Sequence, residues 1–182
     1  HMIPEQSFRE ADTRRYLLSL FSDTECEKRE LSCGSVALFF DFGKENTAAF
    51  RCELDALPVD ELNESAYKSN RKGFMHACGH DCHIAMMLGT LQILRHMTDD
   101  IHGEIRIVFQ PSEENGQGAK LMIGTGVLDG VDGAYAAHIW SEVDAGTVSC
   151  EPGPRMANTD WFRIDVRGTS CHGAMPQRGH DA

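Results

Sequence analysis

The chain has 182 residues, 41% of them hydrophobic and 25% charged, which suits a packed domain of ordinary size. A formal net charge of -11 sets it against nucleic acid and anionic membrane surfaces, since both repel an acidic protein, and leaves small molecules or proteins as partners. No stretch reaches the roughly 20 apolar residues of a membrane span and the N-terminus lacks a basic-then-apolar secretion pattern, so a cytoplasmic protein is expected.

His1-Met2 reads as an expression-tag remnant. From Glu5 to about Ser22 the chain reads as an amphipathic helix, with Phe8, Tyr16, Leu17 and Leu20 near helical spacing. Ser35 to Phe42 and Asn46 to Leu54 are apolar runs joined by Gly43-Lys44-Glu45, which predicts a hairpin or two neighbouring strands. Pro58 lacks an N–H and stops the second run, and polar, aperiodic Asp60 to Lys72 reads as a surface loop.

Beyond the Gly73 to His83 cluster, Ile84, Met87, Leu88, Leu91 and Leu94 recur at helical spacing and predict a buried helix face. The cluster therefore sits at a helix N-terminus. Glu104 to Gln110 reads as a strand, Gly118 to Gly124 as a short helix and Gly133 to Trp140 as a further strand. This alternation predicts an α/β fold, a three-layer sandwich of helices around a mostly parallel central sheet. After Gly146 the character changes, with Gly153-Pro154 preceding an expected strand at Trp161 to Val166. A boundary near Pro152 divides a first domain, residues 3–152, from residues 153–182, which are too few to bury a core of their own.

Seven cysteines (Cys26, Cys33, Cys52, Cys78, Cys82, Cys150, Cys171) form an odd, irregularly spaced set, so free thiols are expected. Cys78 stands apart from the rest. Met75-His76-Ala77-Cys78-Gly79-His80-Asp81-Cys82-His83 concentrates imidazoles, thiols and a carboxylate at one turn, a donor set that suits borderline-soft divalent ions, zinc first. Gly79 lets the backbone bend there. A small zinc knuckle held by Cys78, Cys82 and two histidines is the purely structural alternative.

Two further elements carry chemistry. Ile105 to Phe109 runs into Gln110-Pro111-Ser112-Glu113-Glu114, placing adjacent carboxylates at a strand end, where α/β proteins build their sites. One carboxylate can bind metal while the other stays free to take a proton from an activated water. Taken alone, the pair would read as a solvated loop. Ala134 to Trp140 places His138 in an apolar strand, where a lone histidine is ordinarily a hydrogen-bonded core residue.

In order, Arg51-Cys52-Glu53-Leu54-Asp55-Ala56-Leu57-Pro58, Met75 to Asp81, Phe109 to Glu114 and Ala137-His138 resemble successive motifs of the M20 amidohydrolases. The branch they resemble contains hippurate hydrolase, N-acyl-amino-acid deacylases and the plant auxin-conjugate hydrolases. The resemblance implies a dinuclear metallopeptidase-like fold and two divalent metal ions, zinc foremost, with manganese, cobalt or nickel as alternatives. It implies Cys78 as the ligand shared by both ions, His80, Glu114 and His138 as further ligands, Glu113 as general base and Asp55 as the carboxylate that orients a ligand.

Gly168 to Pro176 resembles the start of the family's α+β lid domain. There His172 matches a residue that reaches a substrate oxygen, often across a dimer, and would stabilise the oxyanion. A homodimer and an N-acyl amino acid substrate, cleaved at its amide bond, are implied in the same way. Family members are longer, so the resemblance further implies a chain truncated inside the lid, before the last metal-binding histidine. The sequence departs from the family pattern at Cys52-Glu53 and at Cys82, and neither departure falls on a matched ligand.

A metallo-dipeptidase of the same superfamily and a non-catalytic metal-binding module are the alternatives. Gly168-Thr169-Ser170-Cys171-His172 fails the serine-hydrolase elbow at its last glycine, and no HExxH or phosphate-binding glycine loop occurs.

Overall fold

The computed structural model describes residues 1–43 and 45–182, which form two compact units, His1–Ser141 and Glu142–Ala182. The first unit is built on five strands, β1 (Glu27–Glu30), β2 (Val36–Asp41), β3 (Thr47–Glu53), β4 (Glu104–Gln110) and β5 (Gly133–Ala136), in the order β1-β2-β4-β3-β5. Its helices are α1 (Ala11–Leu20), α2 (His80–Leu94) and α3 (Gly118–Ile123).

One face of the sheet packs Val36, Leu38 and Phe40 of β2 and Ile105, Ile107 and Phe109 of β4 against Leu17 of α1 and Met87 and Leu91 of α2. The opposite face packs Ala37, Phe39 and Val108 against Met122 of α3 and Val127. The expected three layers are therefore present. The sheet itself is mixed rather than mostly parallel: β3, β4 and β5 are parallel, whereas β2 is antiparallel to both β1 and β4.

The expected pairing of β2 with β3 does not form, because β4 lies between them. Ile107, Val108 and Phe109 are fully buried, and a strand apolar on both sides gains most at the centre, where both faces are covered. Lys44, the middle of the expected turn, lies outside the described residues.

The first helix is shorter than its period suggested. Glu5 to Glu10 is not helical; Ala56 N–H donates to the Glu5 carbonyl, and the Glu5 carboxylate accepts from Asp12 N–H and Thr13 N–H at 3.2 and 2.7 Å. A side chain six residues before the first helical residue thus caps the first turn. His1 joins the packing, since its ring lies 2.7 Å from Asp81 Oδ2 and 3.1 Å from Glu61 Oε1.

The second unit contains a Thr169–His180 bridge and a 3-10 turn at Pro176–Arg178. The strand expected at Trp161 to Val166 is absent: no neighbouring strand pairs with it, and Trp161 is 89% exposed. No helix among the described residues is long and apolar enough to cross a membrane.

Candidate metal centre

Parallel strands end on the same side of a sheet, and the three here deliver their chemistry at their C-terminal ends, where open α/β sheets form crevices. Asp55 follows β3, Glu113 and Glu114 follow β4, and His138 follows β5. The N-terminus of α2 brings Cys78 and His80 to the same place. Gly79 sits between them at φ +85°, a left-handed conformation that favours glycine, and a Cβ on it would collide with the Ile139 side chain.

Asp55 is fully buried and organises this edge. Its two carboxylate oxygens accept the backbone N–H groups of Glu113 and Glu114, each at 3.0 Å, and the Ser7 hydroxyl donates to Oδ2 at 2.7 Å. Burial alone would raise its pKa, but the contacts with His80 and Ser7 and these backbone amides outweigh it and hold the carboxyl below its ordinary value.

The two site imidazoles are oriented alike. His80 Nδ1 lies 2.8 Å from the Asp55 carbonyl, and His138 Nδ1 lies 2.6 Å from the Ile139 carbonyl. A carbonyl only accepts, so each Nδ1 carries the proton and each Nε2 keeps a lone pair. His80 Nε2 then faces Glu113 Oε2 at 3.6 Å and Glu114 Oε1 at 3.8 Å, while His138 Nε2 faces Cys78 Sγ at 3.4 Å. Burial lowers the His80 pKa, but the Asp55 hydrogen bond and the Glu53 charge outweigh it, so the net shift is upward.

These residues fit a divalent cation. Cys78, His80 and His138 form one ligand-ready group and His80, Glu113 and Glu114 another, sharing His80. Glu114 Oε1 is buried without a hydrogen-bond partner. Burial, followed by Glu114 and Glu113, pushes the Cys78 thiol up to about 12, and burial likewise raises Glu114. A divalent cation held by these donors would offset the crowding of acidic groups.

Cys82 is exposed on α2 and, among the described residues, joins none of these groups, which leaves the zinc-knuckle alternative without its second thiol. His172 belongs to the second unit, where its Nδ1 accepts from Ala174 N–H at 3.1 Å.

One participant was not assigned from the sequence. His83 is buried on α2, with Nδ1 2.7 Å from Glu53 Oε2 and Nε2 accepting the Ile139 N–H at 3.1 Å. It thereby ties α2 to the residue after His138. The sequence signal was its three-residue spacing from His80, which puts both rings on one helix face. Glu53, buried beside it, also pairs with Arg51.

A thiol, two imidazoles and paired carboxylates at the C-terminal edge of an α/β sheet define a candidate hydrolytic metal centre. A family profile described as Peptidase family M20/M25/M40 matches residues 49–177, so the chain belongs to this family. It is 40% identical to an N-acyl-L-amino acid amidohydrolase of Geobacillus stearothermophilus, over 100% of this chain and 50% of the relative. It is 36% identical to an N-acetyl-L-cysteine deacetylase of Bacillus subtilis (strain 168), over 100% of this chain and 44% of the relative.

The fold matches the crystal structure of the Bacillus subtilis YXEP protein, a dinuclear metal binding peptidase from the M20 family, with TM-score 0.81 and 31% identity. That match covers 85% of this chain and 44% of that one. The chain spans about half the length of the curated relatives it matches.

Proposed function

We propose that this chain carries the metal-binding part of an amidohydrolase that cleaves the amide bond of N-acyl amino acids. The observation that carries this reading is the convergence of Cys78, His80, Glu113, Glu114 and His138, with both Nε2 lone pairs turned toward the thiol and carboxylates. The names of the relatives support the amide substrate. Cys78, His80, Glu114 and His138 would hold two divalent ions; zinc suits the thiolate, and manganese, cobalt or nickel suit the same mixed donors. When bound, such ions supply Lewis acidity that acidifies a water and polarises the amide carbonyl.

Glu113 is the general base. Its carboxylate takes the proton from the attacking water as the new C–O bond forms, then delivers it to the amide nitrogen as the C–N bond breaks. The products are a carboxylic acid and a free amino acid. Asp55 holds the Glu113 and Glu114 amides, so the two carboxylates approach His80 from fixed positions. His172 retains in this proposal the oxyanion-stabilising role that the family resemblance implies.

The test is metal content per chain, by mass spectrometry, for the parent protein and the Cys78→Ala and Cys82→Ala variants. The expected result is loss of metal with Cys78 and retention with Cys82; equal loss in both refutes the assignment. Glu113→Gln should keep its metal and lose hydrolysis of N-acetyl amino acids in the full-length enzyme, and full turnover there would remove Glu113 from the base role.

A further inference from the structure

Among the described residues, two non-glycine residues have positive φ, Phe8 at 62° and Ser112 at 53°. Side chains disfavour this conformation, and it persists where surrounding contacts impose it. Both are tied to the same atom: Glu10 Oε1 accepts the Phe8 N–H at 3.0 Å and the Ser112 N–H at 2.8 Å. Glu10 is 5% exposed and lies before residue 49, outside the span that matches the family profile.

Ser112 immediately precedes the acidic pair. Three consecutive backbone amides, those of Ser112, Glu113 and Glu114, are therefore each taken by a buried carboxylate oxygen: Glu10 Oε1, then Asp55 Oδ1, then Asp55 Oδ2. The Ser7 hydroxyl, from the same N-terminal segment, holds Asp55 Oδ2. The chain leaves β4 at Gln110 and must turn sharply to present both carboxylates toward His80. The left-handed residue at 112 makes that turn, and Glu10 holds it there.

We infer that Glu10 is a positioning residue of the metal centre, acting through the Ser112 backbone to aim Glu113 and Glu114. The inference rests on the metal-site reading above. Ser7-Phe8-Arg9-Glu10 is then a strap from the N-terminal segment that completes the acidic edge.

The experiment is a cobalt(II) titration of this chain followed by visible absorption, with thermal unfolding of the chelator-treated protein in parallel. Glu10→Ala is expected to weaken cobalt binding about ten- to hundredfold, the range for lost support behind metal ligands. Glu10→Gln, which keeps an acceptor oxygen, should bind as the parent does.

Glu10→Ala/Ser112→Gly is the decisive variant, because glycine adopts the left-handed turn without help; it should regain most of the lost affinity. A Glu10→Ala variant with parent affinity and absorption overturns this inference alone. Loss without recovery in the double variant, or failure of the double variant to fold, assigns Glu10 to general stability and overturns it too. If Glu10→Ala by itself does not fold, a folded double variant with parent-like cobalt binding supports the inference. A parent chain that takes up no cobalt overturns the metal-site reading together with this one.

Discussion

Replacing Asp55 with asparagine changes neither size nor shape, so its effect isolates charge and hydrogen-bond polarity. The carboxylate accepts Glu113 N–H and Glu114 N–H on its two oxygens and is completely buried. An amide has one oxygen and one NH2 group, so in either orientation one of those backbone donors meets another donor. A lost hydrogen bond to a charged group is worth about 1.5–3 kcal/mol and an orphaned buried N–H costs about 1–3 kcal/mol; these overlap, which sets the expected loss near 3 kcal/mol. For a domain of this size that lowers Tm by about 6–12 °C.

Thermal unfolding of chelator-treated parent and Asp55→Asn proteins measures this without any contribution from metal. Ser7→Ala serves as the internal scale, since it removes a single hydroxyl donor from Oδ2 and should cost about 1 kcal/mol. An Asp55→Asn variant that unfolds within about 0.5 kcal/mol of the parent would refute the view that this carboxylate holds the acidic turn.

Gly79→Ala combines a left-handed backbone with a Cβ driven into Ile139 and should cost about 2 kcal/mol or more in urea unfolding; a neutral result would contradict the tight turn between Cys78 and His80. Phe109→Ala empties the centre of β4 and should cost about 3–5 kcal/mol, whereas Tyr16→Ala on the exposed side of α1 should stay within about 0.5 kcal/mol. Burial holds the Glu10 carboxyl above its ordinary pKa despite the backbone amides that oppose it. A raised folded-state value means a contribution fully present below the ordinary carboxylate pKa and lost as pH rises through the folded one. Urea midpoints of the parent should therefore fall, relative to Glu10→Gln, as pH climbs from the ordinary carboxylate range; parallel curves would show that Glu10 carries no such shift.

The strands and helices that were legible in the sequence are those whose side chains face one environment along their whole length. The β4 strand, Glu104–Gln110, was bounded as expected because its apolar residues are buried on both faces, and the period of α2 was visible because Met87 and Leu91 point into one core. What failed is what depends on partners distant in the chain. Nothing in Ser35 to Leu54 reveals that β4, some fifty residues on, separates β2 from β3. The charged edge strand β1, Glu-Lys-Arg-Glu, exposes every side chain and so carries no hydrophobic signature. Trp161 to Val166 has strand composition, yet composition does not pair a backbone.

The site divides along the same line. Cys78, His80, Glu113, Glu114 and His138 were marked in the sequence by chemical type and motif order, and their side chains lie close together; Asp55, which works through backbone amides, was marked by the family resemblance alone. Other residues that hold backbone groups in place carried no such mark, because they bear no chemistry of their own. His83 accepts a main-chain N–H from Ile139, Glu10 accepts one from Ser112, and Glu5 takes two from the start of α1. Any carboxylate or imidazole could do this given the right position, so residue type leaves the role unmarked and only the fold reveals it. Several acidic groups gather beside the Cys78 thiol, whose pKa burial and these carboxylates push up. Such an edge holds its shape only if buried acceptors fix the backbone beneath it, which is why the support for Glu113 and Glu114 reaches back to the first ten residues of the chain.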